Sequence, residues 1–87
     1  MALMFPNASR AYISGKRCVR FWGHDSTAEI AFEVADDSLR VICPEVERTE
    51  AAILAAFDDH RLRIEQVAAK KYARDKQSYI HLDSENF

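Results

Sequence analysis

Between Thr49 and Arg74, in TEAAILAAFDDHRLRIEQVAAKKYAR, apolar positions return at steps of three and four. Ile53, Phe57, His60, Ile64, Val67, Ala68 and Lys71 fall on one side of a 3.6-residue helix, widened by Leu54, Ala56 and Tyr72. Asp58, Asp59, Arg63, Glu65, Gln66 and Lys70 turn outward. The run is rich in good helix formers and contains no Gly or Pro. Thr49 is placed to cap it with Glu50 just inside, and Lys70, Lys71 and Arg74 suit the negative end of the dipole. Asp59 and Arg63 form an i,i+4 pair of the favourable order, worth about 0.3 kcal/mol. Unbroken, this helix would be about 37 Å long, whereas a domain of this size has a diameter of roughly 30 Å. The pattern predicts either a break near Asp58–Asp59 or a second copy of the chain covering the overhang. The second copy is the favoured expectation.

The first half of the chain has the other period. Met1 to Asn7 reads as part of an extended arm (residues 1–9) in which Leu3 and Phe5 alternate with Ala2 and Met4 before Pro6 and Asn7 stop it. Arg10–Ile13 predicts a short strand, and Ser14-Gly15-Lys16 a tight turn with Gly15 supplying the positive φ. Arg17–Gly23 predicts a second strand, with Val19 and Phe21 on one face and Cys18, Arg20 and Trp22 on the other. Gly23 to Ser26 breaks the pattern. Thr27–Ala35 predicts a third strand, with Ala28, Ile30, Phe32 and Val34 inward and Glu29, Ala31 and Glu33 outward. Asp36 or Asp37 opens a short helix through Ile42, which Pro44 cannot continue. After the long helix, Ser78–Asp83 predicts a fourth strand, and residues 84–87 read as a tail.

The order β-β-β-α-α-β with short hairpins predicts an α+β fold of two layers. It consists of a largely antiparallel four-stranded sheet with one long helix across its apolar face. Val19, Phe21, Ile30, Phe32, Ile80 and Leu82 then face the helix. The open face carries Tyr12, Arg20, Trp22, Glu29, Glu33, Tyr79 and His81. Aromatic and charged groups so mixed are more than a solvated face needs.

Composition adds bounds. Eighty-seven residues make a single domain, 1–87, and a hydrophobic fraction of 48% argues against disorder. A net charge of −2 gives no global attraction to nucleic acid or acidic membranes. Cys18 and Cys43 lack a CxxC spacing and read as reduced, packed thiols of a cytoplasmic protein. The N-terminal stretch is too short and too soon broken for a signal or membrane span.

Candidate chemistry is sparse. The open face offers a nucleic-acid platform, with Trp22 for stacking and Lys16, Arg17 and Arg20 for phosphates, but Glu29 and Glu33 oppose it. His24-Asp25 is the most catalytic-looking pair; the commoner role is structural, with Asp25 capping a turn and His24 either half exposed or packing on Trp22. His60, on the core stripe, reads as a mainly buried, hydrogen-bonded imidazole. A zinc site from His24, His81 and Cys18 has no spacing signature. Neither a metal nor a cofactor is expected. The cations at the helix end are explained mostly by the dipole.

Several strings taken together, LMFPNASRAY, VRFWGHD, AFDDHRLRI and AAKKYAR, resemble a family of small bacterial proteins, domain-of-unknown-function family 1488. The motif positions are Phe5, Pro6, Asn7, Ser9, Arg10, Phe21, Gly23, His24, Asp25, Phe57, Asp58, Arg61 and Ile64. The resemblance covers nearly the whole chain and implies a small single-domain α+β protein, with no activity attached. It makes Arg10, His24, Asp25, Asp58 and Arg61 interesting as polar positions. Either a site or a network tying the arm and the turn to the helix accounts for them, and an Asp25–Arg61 salt bridge is one expectation of that kind.

The favoured reading is a non-enzymatic interaction or regulatory module that forms a homodimer through its helix end or open sheet face. A nucleic-acid-binding module on Arg20 and Trp22 is the alternative. A small enzyme or metal protein built on His24 and Asp25 is third. The candidate binding residues are Arg20, Trp22, His24, Asp25 and Arg61.

Overall fold

In the computed structural model, which describes residues 3–87, five strands form one sheet: β1 (Leu3–Met4), β2 (Arg10–Ile13), β3 (Cys18–Asp25), β4 (Ala28–Ala35) and β5 (Tyr79–Leu82). Three helices, α1 (Asp36–Ile42), α2 (Glu50–Asp59) and α3 (Arg61–Arg74), and a terminal 3₁₀ turn (Ser84–Asn86) complete the chain. β3 pairs antiparallel with β4 on one side and with both β1 and β2 on the other, while β5 runs parallel to β4. The class is the expected α+β with a mostly antiparallel sheet. The fifth strand comes from the arm, where Leu3 and Met4 stand opposite Asp25 and His24.

Alternation sets the layers. Val19, Phe21, Ile30, Phe32, Val34, Ile80 and Leu82 are buried on one face of the sheet. They form one cluster with Leu39 of α1, Ile53 and Phe57 of α2, and Ile64, Ala68 and Tyr72 of α3. Phe5 from the arm packs on Phe21 and Phe32, with ring centroids 6.0 and 5.8 Å away. Gly23 makes room for it, since a Cβ there would lie 3.0 Å from Phe5 and 3.2 Å from both Leu3 and Phe32. That packing carries β3 through Asp25, so His24 and Asp25 lie in a strand and not in a turn.

The long helix breaks at His60, whose φ of −112° and ψ of 17° leave the helical region. Asp58 and Asp59 crowd the negative end of α2 without a cation in its last turn, which favours termination. α3 alone spans about 21 Å, inside the 36 Å longest extent of the molecule. There is no overhang, so helix length gives no reason for a second copy. The break also separates Asp59 from Arg63, and the ion pair that forms instead is Arg61–Glu65 at 2.8 Å. His60 is half-buried at the junction and has no side-chain cap bond, in place of the buried, hydrogen-bonded imidazole expected.

Smaller corrections follow the same geometry. Thr49 caps α2 as expected, accepting from the Ala52 N–H at 3.2 Å. At α1 the cap position belongs to Ala35, not to either aspartate. In the β2–β3 turn the positive φ of 51° falls on Arg17, and Gly15 has none. Tyr12 stands opposite Val19 and packs against the core, so it is absent from the open face. Residues 84–87 are not a tail: Asp83 and Asn86 form a reciprocal cap and Phe87 packs on the core.

Candidate functional site

The outer face of the sheet has no helix over it, and the register arranges its side chains in rows. Trp22 stands opposite Ala31, which stands opposite Tyr79 of β5. One step along, Arg20 stands opposite Glu33, which stands opposite His81. The Ser26–Thr27 turn fixes this register; Ser26 takes the left-handed φ of 58° that a two-residue hairpin needs at its first central position.

Glu33 is the centre of the face and only 1% exposed. Arg20 donates to its Oε2 from Nε at 2.9 Å and from Nη2 at 2.5 Å, and the Tyr79 hydroxyl donates to Oε1. Lys16 Nζ lies 3.7 Å from Oε2 and His81 Nδ1 4.0 Å from Oε1. Burial pushes the Glu33 carboxyl up, but the bonds from Tyr79 and Arg20 and the charges of Lys16 and Arg20 outweigh it, so its pKa falls below the usual value. Lys16 also lies over the Tyr79 ring, 5.5 Å from its centroid, and donates to its hydroxyl. Beside Glu33, the Cys18 thiol is fully buried; desolvation and the carboxylate charge raise its pKa to about 11, which keeps it protonated and unreactive.

The residues singled out from the sequence are not one constellation. Arg20, Trp22 and His24 share the outer face, where His24 Nε2 is 3.7 Å from Glu29. Asp25 follows His24 in a strand and so points the other way, where it accepts from the Tyr72 hydroxyl at 2.7 Å. The two therefore cannot act as a dyad. Arg61 forms no salt bridge with Asp25. It donates to the carbonyls of Asn7 and Ala8 at 3.1 and 3.0 Å while Nε binds Glu65. His24, His81 and Cys18 stand in different rows, and among the described residues no three potential ligands converge on a metal site.

Sequence reasoning missed Glu33, treating it as a charge that would repel phosphate. The signal was present: a two-residue turn at Ser26–Thr27 forces Arg20 and Glu33 to face each other. The Tyr79 partner was not legible, because it depends on β5 joining β4 in parallel after all three helices.

Comparison with solved structures gives the same fold. A crystal structure of a protein of unknown function from the DUF1488 family of Shewanella loihica PV-4 superposes with a TM-score of 0.77 at 17% identity, covering 92% of this chain and 90% of that one. No curated protein matches. No helix among the described residues is long and apolar enough to cross a membrane. The model of DUF1488, described as a protein of unknown function, matches residues 3–82, and the chain belongs to that family.

Proposed function

We propose that this protein is a non-enzymatic interaction module that self-associates through the open face of its sheet. The observation that carries the reading is the state of Glu33: a carboxylate in the middle of an uncovered face, 1% exposed and already bonded by Arg20 and Tyr79. Burying a face costs most where charges lose water without a partner. Here the central charges have partners within the chain, and Met4 (63% exposed), Trp22 and Tyr79 (45% exposed) supply apolar contact around them.

The alternatives lose their key residues. A nucleic-acid platform needs free cations, but Arg20 is bound to Glu33 and Lys16 leans on Tyr79, which leaves Arg17, exposed in the β2–β3 turn, as the free one of the three. A His24–Asp25 catalytic pair would need both groups on one face.

Sedimentation velocity over a concentration series tests the reading. The expected result is a dimer that Trp22→Glu converts to a folded monomer. Wild-type protein that stays monomeric throughout the series overturns it, as does a dimer indifferent to the substitution.

A further inference from the structure

We infer that the solvent side of α3, on the helical layer and away from the open sheet face, is a docking site for an acidic amphipathic segment of another protein. The helix carries five cations, Arg61, Arg63, Lys70, Lys71 and Arg74, against one carboxylate, Glu65. Two of the five are used internally: Arg61 binds Glu65 and the arm, and Lys71 donates to the His81 carbonyl at 2.6 Å and to Asn86. Arg63, Lys70 and Arg74 remain exposed and have no ion-pair partner among the described residues. Steps of seven and four place these three on one face of the helix.

Dipole compensation does not account for this ridge. Lys70 and Arg74 lie toward the negative end, but Arg63 sits in the first turn, where a cation is disfavoured and no acid balances it. Nor is the surface purely electrostatic. Offset by one residue, Leu62, Ala69 and Ala73 run beside the cations with the same spacing. Among the described residues Leu62 is the most exposed large apolar side chain, at 71%. Ala69 is half-buried and Ala73 exposed, so small apolar side chains continue the line from Leu62. Along the ridge, a groove of about 510 Å³ opens between α3 and the terminal 3₁₀ turn, lined by Val67, Lys70, Ala73 and Arg74 of α3 and by Glu85 and Asn86 of the turn, so that two cations face one carboxylate there.

A matched occupant has large apolar side chains for Leu62 and the small alanines beside it and carboxylates for Arg63, Lys70 and Arg74. An acidic amphipathic helix laid along α3 presents both at the same spacing. The apolar lining is what favours a peptide over a nucleic acid, whose phosphate backbone has no apolar face to place there. The charge also argues against a second α3 as occupant, because antiparallel pairing would bring the two basic ridges together.

Fluorescence anisotropy with a labelled synthetic helix, Leu on one face and Glu on the other, tests this directly. The full-length protein is expected to bind it, with poly-glutamate of equal length at least about tenfold weaker. Lys70→Glu/Arg74→Glu should lose about tenfold or more, and Leu62→Ser several-fold, with unchanged circular dichroism because all three residues are exposed. The inference is overturned if the helix does not bind, if poly-glutamate binds equally well, or if the double variant binds like wild type. Tighter binding of single-stranded oligo-dT makes the ridge a nucleic-acid surface instead. Self-association that the double variant abolishes makes the occupant a second copy. Trp22→Glu separates this surface from the sheet face, since it leaves α3 untouched.

Discussion

Arg10 holds Asp58 through two parallel hydrogen bonds, Nε to Oδ1 at 2.9 Å and Nη2 to Oδ2 at 2.8 Å, joining β2 to the last turn of α2. The guanidinium compensates a carboxylate at the wrong end of a helix dipole and holds the Asp58 pKa below its ordinary value. One helical turn on, Arg61 grips the carbonyls of Asn7 and Ala8. Two clamps therefore hold the arm against the helical layer, with Leu3 paired in the sheet and Phe5 packed on Phe21 and Phe32.

Removing the second clamp should release the arm selectively. Arg61→Ala is expected to lower stability by about 1.5–3 kcal/mol, the range for hydrogen bonds to a charged group. Hydrogen exchange should accelerate in residues 3–9 before it changes in β3 and β4. Equal acceleration in the central strands would show that Arg61 supports the core and not the arm.

Gly23 tests the same packing from below. Gly23→Val places carbon within 3.0–3.2 Å of Phe5, Leu3 and Phe32, so the aromatic side chain must shift. Thermal unfolding should show a loss of about 1–3 kcal/mol from overpacking. A variant as stable as wild type would mean that the arm is not held over Gly23.

Glu33 should govern part of the acid limb of stability. Its pKa is lowered on folding from an ordinary 4.5, so its contribution is complete above that value and is lost as pH falls through the lower folded value. Urea titrations from pH 6 downward, with about one-unit steps, should show stability falling below the unfolded pKa. Glu33→Gln should be less stable at neutral pH and flatter below it. A parallel acid limb in the variant would assign the pH dependence to other carboxylates.

The two thiols should react differently. Cys18 is fully buried with its pKa raised to about 11, whereas Cys43 at the end of α1 is partly exposed. In native protein at pH 8, iodoacetamide followed by peptide mass spectrometry should label Cys43, and Cys18 only after unfolding. Prompt labelling of Cys18 would mean that the Lys16–Arg20–Glu33–Tyr79 cover opens readily.

Period and punctuation alone placed four of the five strands, the short helix and the helical run from Thr49 to Arg74, in their observed order. Alternation in CVRFWGHD and AEIAFEVA assigned Phe21 and Phe32 to the core and Arg20 and Trp22 to the open face, because a strand has no other way to place neighbours. The 3.6 period did the same for Ile53, Phe57 and Ile64. Local patterns act over a few residues, so they offered a break near Asp58–Asp59 without being able to choose it over a covered overhang, and could not say that Leu3 and Met4 join the sheet. Nor could they say that Tyr79 meets Glu33 from a parallel strand 46 positions away. Those outcomes depend on which surfaces meet once the helices fold over the sheet. The local sequence determined the faces and set Arg20 against Glu33 across the hairpin; contact between distant segments decided that Tyr79 completes the grip on Glu33, that Asp25 serves Tyr72 rather than His24, and that Arg63, Lys70 and Arg74 have no ion-pair partner among the described residues.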